Sequence, residues 1–261
     1  MTVKRPRHSR EEIRELLLET GASILREDGL GLGAEVVTFK KVFDRLEEET
    51  GIRLTNGSVI GRVWRNQADF QVDVLVTIVL QGIEGEVDLT VGAVAPILTK
   101  ADLSSPDSRE ATLRELCRVG GAANLEAVRR SRNWPLWIGV WALAATNEPV
   151  EYRRRISSAL LSGSEDFDQQ IEAVYAAMAD LLGFRLREQF TIRQFAIAVD
   201  CLGQGCGLRD RVDNSSMLGI LRATGPGGRP QEWTLFAVGF ESLVRQFFEI
   251  DPDWQPQGGE D

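Results

Sequence analysis

The densest group of residues able to make specific polar contacts lies in TNGSVIGRVWR, which carries Thr55, Asn56, Ser58, Arg62 and Arg65. On a helix turning about 100° per residue, Thr55, Ser58, Arg62 and Arg65 share one side and Val59, Ile60, Val63 and Trp64 the other. One side packs, and the other presents hydroxyls and guanidiniums. Those groups, with the Asn56 amide, bond phosphate oxygens and base edges. Gly61 flanks the polar side and would let a backbone approach closely. Lys40 and Lys41 could reach flanking phosphates, as could the amides that open the next helix near Gln67. An amphipathic surface helix with two solvated arginines fits the same spacing, so periodicity alone leaves both readings open.

Other chemistry is poorly represented. His8 is the only histidine, which removes histidine-based triads and histidine metal clusters. No P-loop and no G-x-S-x-G motif occurs. The run Gly203-Gln204-Gly205-Cys206-Gly207 lacks the G-x-G-x-x-G spacing and a preceding strand. Cys117, Cys201 and Cys206 form no C-x-x-C pair and read as free thiols. No metal, no cofactor and no enzymatic activity is expected.

The polar stretch needs helices to position it. Ser9 with Glu12 three residues later is a capping-box pattern that opens a helix running to about Asp28. Its stripe of Ile13, Leu16, Leu17, Ile24 and Leu25 is interrupted by Thr20, Gly21 and Ala22, small enough to admit a neighbouring helix. A second helix is expected over Val37 to Thr50, capped by Thr38, with Phe39, Val42, Phe43 and Leu46 buried. Gly51 suits a left-handed C-cap, and Ile52 and Leu54 would pin the turn. The third helix is expected from Thr55 or Asn56 to about Arg65. The fourth, Gln67 to Gln81, is apolar nearly all round and implies contacts on several sides.

Residues 82–101 carry Gly82, Gly85, Gly92 and Pro96 and read as a loop with at most one short helix. Ser104 to Asp107 reads as a turn. Helices are expected over Ser108 to Arg132, bent at Gly120-Gly121, over Trp134 to Ala145, and over Val150 to Leu182 in one interrupted piece or two. Helices at Thr191 to Arg211 and Trp233 to Phe248 flank the flexible loop Thr224 to Pro230. The tail after Asp251 reads as disordered. The fold class is therefore all-α.

Two apolar groupings stand out. Trp134, Trp137 and Trp141 recur at spacings of three and four and share a face, with Cys117, Phe167, Tyr175 and Phe195 as further lining candidates. They could wall a pocket for a small apolar effector or serve as core. Ala198 and Gly205 give one helix small surfaces, and Phe236, Phe240, Val244 and Phe247 give the last helix an apolar stripe. These faces could pack within one chain or against a second copy.

The net charge of −9 is unevenly placed. Residues 1–65 hold 12 Lys/Arg and 11 Asp/Glu, leaving 18 and 28 for the remainder. The acidic excess therefore lies outside the candidate DNA reader. Lys4, Arg5, Arg7 and Arg10 form a basic arm able to neutralise phosphates, although a solvated tail has the same composition. No stretch approaches the roughly 18 apolar residues of a membrane span, and the N-terminus lacks a secretory pattern. A cytoplasmic protein without membrane contact is expected.

Taken in order, a first helix ending in a glycine turn, TFKKVFDRL, a Gly-Ile turn, NGSVIGRVW and a helix opening QADFQVDVL resemble the TetR/AcrR family of transcriptional regulators. The resemblance covers about Ser9 to Leu80, with an echo in IRQFAIAVDCLGQGCGLRDR. It implies a DNA-binding domain over 1–80 and an effector-binding and dimerisation domain over 81–261. It further implies a homodimer formed by the last two helices, a double-stranded operator, and a third helix in the major groove. The chain would act as a repressor released by a small apolar effector. Ile60 stands where the family usually has Tyr, and Asn66 or Gln67 where it has Lys. Phosphate contacts would then fall to Arg62, Arg65 and the amides near Gln67, and Glu47, Glu48 and Glu49 would have to point away from DNA. The rival expectations are the same architecture without an inducer, and an all-α enzyme or carrier that binds no DNA.

Overall fold

The computed structural model describes residues 9–31, 36–81, 86–146 and 150–255. The fold is all-α; its strands are three residues long each and form two small antiparallel ladders. The chain divides into two compact units, Met1–Ile83 with Arg132–Ser164, and Glu84–Ser131 with Glu165–Asp261. The unit holding the candidate DNA reader thus takes in a second stretch of chain beyond the first 80 residues.

The first unit begins with α1, Arg10–Asp28. The expected capping box forms: the Glu12 N–H donates to Ser9 Oγ and the Ser9 N–H to Glu12 Oε2. Helix α2, Phe39–Thr50, is capped by Thr38, whose Oγ1 accepts from the Lys41 N–H. A one-turn helix α3, Asn56–Val59, follows, then α4, Gln67–Leu80. The small residues of α1 do what their size suggests. A Cβ on Gly21 would lie 2.8 Å from Val74 Cγ2, so α1 and α4 meet at a separation only glycine allows. The core joins Leu17, Leu25, Phe39, Val42, Leu46, Phe70 and Leu75 to side chains from α7, Trp134–Thr146, and from the first turns of α8, Val150–Leu182.

The second unit contains α5, Glu86–Thr99, and α6, Pro106–Arg130. The expectation of a loop with at most one short helix over 82–101 is corrected in extent: α5 is a 14-residue helix with Pro96 inside it, and residues 82–85 lie outside the described ones. Packing against α6 overrides the local breakers, and a Cβ on Gly120 would meet Val94 at 3.2 Å. Gly120-Gly121 does not interrupt α6; a Cβ at Gly121 would lie 2.7 Å from Ala237, so the glycine is a contact point for α10, Leu235–Phe247. Pro106 opens α6 at its first position with Ser105 as cap, so the expected turn is the helix start. Helix α8 is one continuous 33-residue helix rather than two. Helix α9, Ile192–Val212, completes the helical set.

Strand β1, Phe184–Leu186, pairs with β4, Phe248–Ile250, and β2, Ile220–Arg222, with β3, Gln231–Trp233. These ladders tie both ends of α10 down. The tail expected to be disordered after Asp251 is held at Trp254, and the Asp251 that precedes it is held as well. The Asp251 N–H donates to Gly183 O at 2.9 Å, and the Trp254 indole donates to Asp180 O at 2.6 Å beneath the Arg109 guanidinium. The final residues, 256–261, lie outside the described ones.

Candidate nucleic-acid interface

Helix α2 ends as the sequence anticipates. Gly51 adopts φ 70°, the left-handed cap, and its N–H donates to Glu47 O. Ile52 and Leu54 are half-buried against the core and fix the turn. The segment after this turn departs from expectation. The third helix does not reach Arg65; it stops at Val59. Gly61 takes φ 78°, its N–H donates to Trp64 O at 2.7 Å, and Ile60 pairs with Trp64 in an isolated bridge. The chain therefore folds back in a tight turn. The two large apolar residues expected on one helical face separate: Trp64 is 4% exposed and Ile60 is 38% exposed. Gly61, read as a place for close approach, is the residue that breaks the helix, because a left-handed φ is open to it and costly to others.

Thr55, Asn56 and Arg62 are exposed on this projection; the Ser58 side chain lies outside the described ones. Arg62 has no side-chain hydrogen bond or ion pair among the described residues. The other expected cations are paired. Lys40 donates to Asp44 at 2.6 Å, which raises its pKa, and Lys41 to Asp28 at 2.6 Å. Arg65 donates through Nε and Nη2 to Asp69 at 2.5 and 2.9 Å and through Nη2 to Glu151 at 2.9 Å. The hydrogen bonds to Asp69 push the Arg65 pKa upward. The Gln67 side chain turns back toward α2, its Oε1 accepting from the Phe39 N–H at the start of that helix. Glu47, Glu48 and Glu49 are exposed at the end of α2, where Arg45 meets Glu49 and Arg53 lies 3.8 Å from Glu47. Of the basic arm, Arg10 is exposed in α1, and Lys4, Arg5, Arg7 and His8 lie outside the described residues.

A polar cluster beneath the turn was not visible in the sequence. Asp69 and Asp73 lie one helical turn apart on α4. Asp73 Oδ2 accepts from the Trp64 indole and from Arg14, each at 2.8 Å. Arg155 of α8 reaches both carboxylates, Asp69 Oδ1 at 3.3 Å and Asp73 Oδ1 in closer contact. The Trp64 ring packs with Phe70 at 4.8 Å and Phe39 at 6.2 Å. The only sequence signal was the i,i+4 spacing of two aspartates in an otherwise apolar helix; their partner is more than 80 residues away in the chain.

The expected effector-lining residues come from both units. Trp134, Trp137 and Trp141 belong to the first unit, where Trp134 and Leu136 are buried and Trp137 meets Trp141 edge-on at 5.6 Å. Cys117, Tyr175 and Phe195 lie in the core of the second unit, and burial pushes the Cys117 thiol and the Tyr175 phenol up. Phe167 is 44% exposed on α8. Two concavities among the described residues are open ones. The first, about 450 Å³, is lined by Pro96, Ile97, Lys100, Asp102, Thr112 and Glu115; the second, about 370 Å³, lies beside Lys40, Asp44 and Arg45. Neither touches the tryptophans.

The expected dimer-interface residues are also divided. Phe236 and Val244 are buried inside the second unit, and Phe240 and Phe247 pack with Phe195 at 6.1 and 5.4 Å. One chain thus buries Phe236 and Val244 by itself and leaves Phe240 and Phe247 half-buried. Gly205 is exposed and Ala198 half-buried on α9, which also exposes Ile197, Leu208 and Val212.

No family model and no curated protein matches the chain. One solved structure that is similar is that of a "putative transcriptional regulator from Saccharomonospora viridis in complex with choline". Its sequence is 16% identical, the alignment covers 92% of this chain and 99% of that one, and the TM-score is 0.45.

Proposed function

We propose that this chain is a DNA-binding transcriptional regulator that acts as a cytoplasmic homodimer, with residues 1–80 as the DNA reader. The observation that carries this reading is the projection after α2: a left-handed Gly51 turn on a fixed aromatic core presents Thr55, Asn56 and Arg62, the last without an ion pair among the described residues, to solvent. These are the groups that contact phosphates and base edges. The surface is a compact turn rather than a long recognition helix. It therefore offers few direct base contacts, and Arg62 carries the main positive charge. Repression of a nearby promoter is the simplest outcome of such binding.

For the second copy, the exposed Ile197, Leu208 and Val212 of α9 with Gly205 supply an apolar surface, in place of the buried Phe236 and Val244. A small apolar effector that releases the operator belongs to the same proposal.

A gel shift with the DNA upstream of its own coding sequence tests the reading. A retarded band at low salt that is lost as salt rises supports it. Free DNA throughout the titration would move the chain to the alternative, an all-α enzyme or carrier.

A further inference from the structure

The turn that presents Arg62 is shaped from below, and the residue that does the shaping comes from a distant part of the chain. Asp69 and Asp73 project from α4 at i and i+4, where two carboxylates repel each other. Asp69 is 5% exposed as a residue, and the Asp73 side chain 14%. Each also holds a residue on the C-terminal side of the turn: Asp69 takes the Arg65 guanidinium and Asp73 the neighbouring Trp64 indole. Arg155, in the first turns of α8 and within the same compact unit, places one guanidinium nitrogen on each carboxylate.

We propose that Arg155 is a positioning residue for the DNA reader, setting the pose of Trp64 and Arg65 by holding Asp69 and Asp73 together. The proposal rests on the DNA-binding reading for its functional consequence, but its geometry stands without it. The hydrogen bonds of Arg65, first, and the charge of Arg155 hold the Asp69 carboxyl below its usual range. The two carboxylates are largely buried while the Arg65 side chain stays 65% and the Arg155 side chain 34% exposed, so screening and desolvation leave little net stability; the effect of such a cluster is to select one arrangement. The planar fork matters. A lysine keeps the charge but presents a single ammonium on a flexible stem, and cannot match two carboxylates one helical turn apart with the same fixed geometry. Helix α8 continues without a break to Leu182, so the residue that sets the turn sits on the helix whose later residues belong to the second unit.

The test uses the full chain, 15N-labelled, with Arg155→Lys and Arg155→Met. The methionine variant keeps the apolar stem and guards against a folding failure caused by a strained lysine. The readouts are the Trp64 indole N–H and Arg65 Nε–H resonances of the folded protein, and binding to the DNA upstream of the coding sequence. Arg155 as a positioning residue requires both resonances to move in Arg155→Lys, with affinity about tenfold weaker, near 1.4 kcal/mol. Unchanged resonances in both folded variants would overturn it, whatever their thermal stability. If the wild-type chain shifts no DNA, the regulatory reading fails while the two resonances still decide the role of Arg155.

Discussion

The Trp64 indole Nε1–H donates to Asp73 Oδ2 at 2.8 Å while its ring packs among Phe39 and Phe70. One side chain therefore anchors the turn twice, to the aromatic core and to a charged group on α4. Replacing Trp64 by Phe keeps the ring contact and removes the donor. A hydrogen bond to a charged acceptor contributes about 1.5–3 kcal/mol, and Asp73 retains Arg14 and Arg155. We expect Trp64→Phe to lose about 2 kcal/mol in urea unfolding. An unchanged midpoint would mean that the indole contact is incidental.

Gly61 lies just past α3 at φ 78°, with open space where its side chain would be. Its substitution by alanine therefore meets no neighbour and reports the backbone alone. A left-handed conformation costs a non-glycine residue roughly 1–2 kcal/mol. Gly61→Ala should lower stability by about 1 kcal/mol, or relax the turn toward the longer helix that the surrounding periodicity favours. Circular dichroism with chemical denaturation distinguishes these from the contrary result, a stabilised protein of unchanged helicity.

Val212 is 81% exposed at the end of α9, in line with Leu208 at 47% and Ile197 at 53%. If a second copy covers this face, a charge there is desolvated without a partner, which is costly. Val212→Asp is then expected to shift a dimer toward monomer in light scattering at micromolar concentration, with the helical signal intact. A wild-type protein that is monomeric under the same conditions would remove α9 as a dimer surface.

The residues that were legible are those whose structure is local. The Ser9–Glu12 capping box, the Thr38 cap, the Gly51 turn and the Gly21 contact each depend on neighbours within a few positions or on size alone. The end of the third helix was not legible for the same reason. Val59, Ile60, Val63 and Trp64 have helical spacing, and nothing local says that Gly61 will turn left-handed so that Trp64 can reach Asp73. Helix α5 reverses the error: Gly92 and Pro96 argue for a loop, and packing against Gly120 of α6 holds a helix. Arg155 reads in the sequence only as part of an arginine run, because its partners Asp69 and Asp73 meet it through the fold. The tryptophans read equally as a ligand wall or as core, because periodicity does not tell a lined cavity from a filled one.

Arg62 stands out among the expected contacts, since Lys40, Lys41 and Arg65 are engaged with carboxylates and, among the described residues, Arg62 is not. The measurement that tests the central claim most directly is fluorescence anisotropy of the labelled upstream DNA, titrated with wild-type protein and Arg62→Ala across a salt series. We expect Arg62→Ala to weaken binding by about 1–3 kcal/mol and, if Arg62 contacts phosphate, to flatten the salt slope by about one. Equal affinity and equal slope for the two proteins would contradict the placement of the DNA reader at this turn.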